Sequence, residues 1–215
     1  MEYTNFSEII GIYEDDNKNV IDSTIKSLYQ LKEKDDKSDG YSNVKGWQKD
    51  LPNTEEFQPI KKIIEKNFAE YLNIYTISDD IGFKLCKFFG NINPPGAYHP
   101  LHYASTLGEF TGVYYLKVEE DSGELFIMNP FPNSFLNSLC ATKNNYNCRS
   151  IKPCRGRGVF HYSGIPHFTD MNRGKEDRIT VVCHIRMIVP QDAMIYLTNQ
   201  LRDYLYKACP EKYQG

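Results

Sequence analysis

The feature that most constrains this chain is a change of period near residue 74. Before it, apolar residues recur every three or four positions: Ile21, Ile25, Leu28 and Leu31, then Phe57, Ile60, Ile64, Phe68 and Tyr71. That spacing puts them on one face of a helix. After it come short β-rich runs: I-Y-T-I-S-D-D, I-G-F-K-L-C-K-F-F-G-N-I-N, F-T-G-V-Y-Y-L-K-V, G-E-L-F-I-M, R-G-V-F-H-Y and R-I-T-V-V-C-H-I-R-M-I-V. Gly, Pro, Asn and Asp separate them, and β-branched and aromatic residues suit a pleated, half-buried surface. No long helix interrupts the runs, so the sheets are expected to be mostly antiparallel. The expected fold is mainly β with flanking helices, a sandwich or open barrel.

The first helix should follow Asp15 and Asp16 and stop in the charged run K-E-K-D-D-K-S-D-G, at its Gly. Pro59 is tolerated only in the first turn of the second helix. Residues 41–53 carry no clear period, and Trp47, the only Trp, is read as a cap on the core. Residues 129–157 form a long polar connection of the kind that often serves as a lid or binding loop. A last helix is expected over Asp192 to Cys209. The organisation is one structural domain: residues 1–80 as an N-terminal helical extension packed on the sheet, 81–190 as the β core, and 191–215 as a C-terminal helix.

With 215 residues the chain suits one domain. No apolar run reaches membrane-spanning length, and the start lacks the basic and apolar regions of a signal peptide, so a cytoplasmic protein with no membrane partner is expected. The net charge of −3 gives no general attraction to nucleic acid. Six cysteines in that setting read as free thiols. Three of them, Cys140, Cys148 and Cys154, lack the tight pairing of structural zinc sites.

Five histidines, at 99, 102, 161, 167 and 184, all lie in the β part. His102 and His167 each sit in a bend beside a strand, where a barrel opening would bring them together. Neutral imidazole suits Fe(II) and other borderline metals. R-I-T opens the strand after His167. Arg178 offers a planar fork for a carboxylate, and the Thr180 hydroxyl, two residues on, points to the same side. The reading is a metal held by His102 and His167 beside a small carboxylate co-substrate held by Arg178 and Thr180. His161 and His184 fall within strands and read as structural.

The ordered segments N-I-N-P-P-G-A-Y-H-P-L-H, T-G-V-Y-Y-L-K-V, S-G-E-L-F-I-M-N-P, I-K-P-C-R-G-R-G-V-F-H-Y-S-G-I-P-H-F and N-R-G-K-E-D-R-I-T, with S-N-V-K-G-W-Q-K-D-L upstream, resemble the iron(II)/2-oxoglutarate-dependent oxygenases. The likeness spans about residues 42–189. It is strongest to a small bacterial and phage branch related to prolyl hydroxylases. The resemblance implies a double-stranded β-helix (a cupin-like jelly roll), Fe(2+) and 2-oxoglutarate as cofactors, and a small-molecule or peptide substrate. It implies that His102 and His167 are metal ligands. It also implies that Arg178, Thr180 and Tyr115 hold the far carboxylate of 2-oxoglutarate.

The sequence departs from that family at one ligand. The pattern H-x-D or H-x-E becomes His102-Tyr103-Ala104, and Ala104 cannot ligate. Alanine at this position resembles the iron/2-oxoglutarate halogenases, in which chloride takes the carboxylate's place and keeps the charge sum. Alternatively water fills the position, or His99 or Glu109 substitutes, and the protein hydroxylates. A non-catalytic metal-binding β-barrel protein, zinc-loaded through its histidines and the cysteine loop, is the reading from a different class.

Overall fold

The computed structural model describes residues 10–75, 81–104, 108–128 and 148–190. In chain order these form β1 (Gly11–Glu14), α1 (Lys18–Lys34), β2 (Trp47–Asp50), α2 (Gln58–Leu72), β3 (Gly82–Asn93), β4 (His99–His102), β5 (Phe110–Lys117), β6 (Leu125–Met128), β7 (Cys148–Ile151), β8 (Arg157–Tyr162), β9 (His167–Thr169) and β10 (Arg178–Ile188). The expected helix over 192–209 lies outside the described residues.

Two antiparallel sheets result. One has six strands in the order β1-β8-β5-β10-β3-β2, the other four in the order β4-β9-β6-β7. Strands adjacent in sequence fall repeatedly in opposite sheets, which is the winding of a jelly roll, the double-stranded β-helix. Both helices pack on the outer face of the larger sheet. Ile21, Leu28, Ile60, Ile64 and Phe68 meet Phe88, Ile92, Phe160, Val181 and Cys183 there. A smaller apolar cluster of Tyr115, Leu125, Ile127, Ile151, Val159 and Ile165 fills part of the space between the sheets.

The helix boundaries follow local chemistry. The Asn17 side chain accepts from Val20 N and caps α1, while Lys32 and Lys34 occupy its last turn, where cations suit the dipole. α1 stops at Asp35, five residues before Gly40, because Asp35 is already extended (φ −145°). Pro59 sits in the first turn of α2. All five apolar residues of its expected stripe, Phe57 to Tyr71, are buried.

Five strands lie where no strand was expected: β1, β2, β4, β7 and β9. β1 and β2 extend the two edges of the larger sheet, and β7 forms inside the long polar connection. These three are four residues each, too short for a period to show. The run from residue 74 begins instead as a single 3-10 turn, Asn73–Tyr75. Among the described residues, Cys86, Cys148, Cys154 and Cys183 are free thiols. No helix among them is long and apolar enough to cross a membrane.

Candidate active site

Antiparallel register lines one face of the larger sheet in rows, because side chains alternate and paired residues stand side by side. Arg178 on β10 pairs with Asn93 on β3. The next inward row is Gln48, Asn91, Thr180 and Tyr115 across β2, β3, β10 and β5. Phe89, Val182, Val113 and Val159 form an apolar row above it, followed by Lys87, His184, Thr111 and His161. The smaller sheet faces these rows with His102 of β4 opposite His167 of β9, and Leu125 of β6 opposite Thr169. The cavity between the sheets is ≈ 400 Å³, open on one side, and is lined by His102, His167, Ala104, Arg178, Thr180 and Tyr115 together with Gln48, Asn91, Asn93 and His184.

His102 and His167 lie in strands rather than bends, directly paired, with ring centroids 4.4 Å apart. Each ring is anchored through Nδ1 to a nearby carbonyl: His102 to Pro100 O at 2.7 Å, His167 to Ile165 O at 3.0 Å. A carbonyl can only accept, so Nδ1 carries the proton and Nε2 keeps its lone pair. Burial opposes the charged form. It lowers the pKa of His102 and drives that of His167 to about 2, helped by the neighbouring His161. Both rings are therefore neutral donors near pH 7.

Arg178 is 1% exposed. Its Nη1 donates to the carbonyls of Ser122, Gly123 (3.4 Å) and Asp170 (3.0 Å), which pins the guanidinium in place. Nη2 is buried and, among the described residues, donates to nothing. Burial presses the guanidinium's pKa down, so this is a desolvated cation lacking an anion. Gly123 makes the arrangement possible. Its φ is +83°, and a Cβ there would stand against Asp170 O and 2.8 Å from Arg178 Nη1. Thr180 Oγ1 accepts from Asn91 Nδ2 at 3.1 Å, leaving its own proton free to donate. Burial pushes the Tyr115 phenol up to about 12, so it too stays a donor.

The two substitute ligands stand differently. His99 lines the cavity, but Asn93 Nδ2 donates to its Nε2 at 3.1 Å and its Nδ1 meets Ser42 Oγ at 3.2 Å, so both ring nitrogens are engaged. The Glu109 carboxylate accepts from Met187 N at 2.8 Å and lies outside the cavity lining. Ala104 lines the cavity as expected of a position next to the pair. Among the described residues, no three His, Cys, Asp or Glu side chains are gathered to hold a metal.

Sequence reasoning missed Gln48, Asn91, Asn93 and Lys87. A signal was available for two of them. In F-F-G-N-I-N the asparagines alternate with apolar residues, and buried Asn in a strand needs a polar neighbour. Gln48 carried none, because its strand has four residues.

No family model matches the chain, and no curated protein sequence does either. Solved structures do match. A prolyl-4-hydroxylase of Pseudomonas putida superposes with a TM-score of 0.59 at 11% identity, covering 83% of this chain and 92% of that one. The viral collagen prolyl hydroxylase of Paramecium Bursaria Chlorella virus-1, solved with 2-oxoglutarate, gives 0.53 at 18%, covering 84% and 96%. HygX of Streptomyces hygroscopicus, solved with nickel and 2-oxoglutarate, gives 0.57 at 9%, covering 84% and 83%. The shared element is the fold. At such identities the likeness places this chain among jelly rolls and leaves its chemistry to its own residues.

Proposed function

We propose that this protein is an Fe(II)/2-oxoglutarate-dependent oxygenase that hydroxylates an unactivated C–H bond of a small-molecule or peptide substrate. One observation carries the reading: a single cavity holds two neutral imidazoles with bare Nε2 atoms and a buried guanidinium with a bare Nη2. Imidazole pairs of this kind suit a borderline divalent metal, and the unpaired cation suits a carboxylate. That the solved relatives include 2-oxoglutarate complexes supports the same pairing of groups.

His102 and His167 would hold the iron through Nε2. Arg178 would hold the far carboxylate of 2-oxoglutarate, with the Thr180 and Tyr115 hydroxyls donating to it. Iron with 2-oxoglutarate and O2 supplies the oxidising chemistry, in which R–H becomes R–OH and 2-oxoglutarate becomes succinate and CO2. The protein's own task is placement. The row of Phe89, Val182 and Val113 keeps the co-substrate's middle dry, and the polar row of Lys87, His184 and Thr111 faces the entering substrate. Aerobic assay with iron and ascorbate should yield succinate from 2-oxoglutarate; no turnover would favour the non-catalytic metal-binding reading.

Ala104 supports a second reading. It lines the cavity and brings no ligand of its own, so a halide could bind beside the metal and the product would be halogenated. Anomalous diffraction from bromide-soaked, iron-loaded crystals tests this. A peak beside the metal favours halogenation, and an oxygen or nitrogen ligand there favours hydroxylation.

A further inference from the structure

We propose that His161 supplies the third donor of the metal centre, in the coordination place that Ala104 leaves without one. The proposal rests on the oxygenase reading above and adds a ligand that the sequence pattern does not contain.

Three observations carry it. The His161 ring lies 4.6 Å from that of His167, as the His102 ring lies 4.4 Å from it. Two imidazoles bound cis to one metal, with metal–nitrogen bonds of roughly 2.1 Å, have ring centres roughly 4.5–5.3 Å apart. All three rings are anchored alike: His161 Nδ1 meets Tyr162 O at 3.0 Å, so its Nε2 also keeps the lone pair. That Nε2 is buried and has no hydrogen-bond partner among the described residues, in a residue with no exposed surface. A bare buried acceptor is costly and calls for a partner, and a bound cation would supply one.

The other candidate donors are less free or lack a ring contact to the pair. His99 has both nitrogens engaged, Glu109 caps Met187 N, and His184 lines the cavity with its Nδ1 3.4 Å from Thr111 Oγ1 and its ring beside Phe89. The three imidazoles do not yet surround one point, and His161 stands just behind the cavity lining. Its ring must therefore swing toward the His102–His167 gap when the ion enters. Nε2 gives up no bond in doing so, while the Nδ1 contact to Tyr162 O must shift with the ring. The resulting centre has three neutral ligands and no carboxylate, and so is one unit more positive than a two-histidine, one-carboxylate centre.

Pulsed EPR of the Cu(II)-loaded protein counts coordinated imidazoles. Wild type should show three, and His161→Phe, which fills the same space without a donor, should show two. Co(II) affinity should fall about 100-fold or more in His161→Phe, at or beyond the upper end for losing an outer-shell partner. Adding Ala104→Asp to that variant should recover most of the loss. Thermal melts of the metal-free proteins check that each variant folds. Two imidazoles in wild type, or unchanged count and affinity in His161→Phe, overturn the proposal. If the two-imidazole protein still makes succinate, the oxygenase reading survives and only the His161 assignment falls. If wild type binds no metal, both fall.

Discussion

Replacing Arg178 by Met separates anchoring a ligand from holding the fold. Methionine keeps the apolar stem and removes the charge and every donor. In the protein, Nη1 serves three backbone carbonyls while Nη2 serves none. For 2-oxoglutarate the loss is one charge-assisted hydrogen bond plus a share of the attraction in a desolvated site. That amounts to about 2–4 kcal/mol, or a roughly 30- to 1,000-fold weaker Kd. For the fold, two effects oppose. The carbonyls of Ser122, Gly123 and Asp170 lose a donor, which costs about 1–3 kcal/mol. Removing a buried, unpaired cation gives back a similar amount. The thermal midpoint should therefore move by only a few degrees. Calorimetric titration of 2-oxoglutarate into metal-loaded wild type and variant reads the first effect, and a melt reads the second. Arg178→Lys, which keeps charge but loses the fork, should fall between them. A 2-oxoglutarate Kd within about threefold of wild type in Arg178→Met would refute the anchoring role.

Three further outcomes follow from the same geometry. Alanine at His102 or His167 should abolish stoichiometric Co(II) binding, read by optical titration; retention of one tight equivalent would place the metal elsewhere. Gly123→Ala should destabilise the protein by about 1–2 kcal/mol from its positive φ alone, more with the added contact to Arg178, and should also weaken 2-oxoglutarate binding. Acid should unfold the metal-free protein early. Burial lowers His99 to about 3, His161 to about 4, His167 to about 2 and His184 to about 4. Below pH 6.5 the unfolded chain takes up protons that these folded rings refuse, so stability falls as pH falls. Each ring that stays neutral contributes about 1.4 kcal/mol per pH unit to that loss. Urea midpoints should drop clearly between pH 7 and 5, and a flat profile would contradict the burial of these rings.

How much was legible in the sequence depended on element length. The stripe from Phe57 to Tyr71 and the eleven-residue strand carrying Arg178 and Thr180 repeat often enough for their period to show. The four-residue strands β1, β2 and β7 do not, and they exist because a neighbouring strand already offers unpaired hydrogen-bonding groups. His102 and His167 were readable as a pair only through their place in an ordered set of motifs. Their local sequence suggested bends, but cross-strand pairing drew both into β4 and β9.

The sequence by itself determined which residues are apolar and at what spacing, and with that two helices, a run of antiparallel strands and the inward parity of Arg178 with Thr180. It also determined that position 104 holds a methyl group where the family that the chain resembles carries a carboxylate. Only the tertiary structure decided what stands beside what. It left Arg178 Nη2 without an anion, committed both nitrogens of His99, turned Glu109 to a backbone amide, and set the His161 ring against His167. Those outcomes depend on register between strands distant in sequence, which pairwise hydrogen bonding and shared burial fix and no local period encodes.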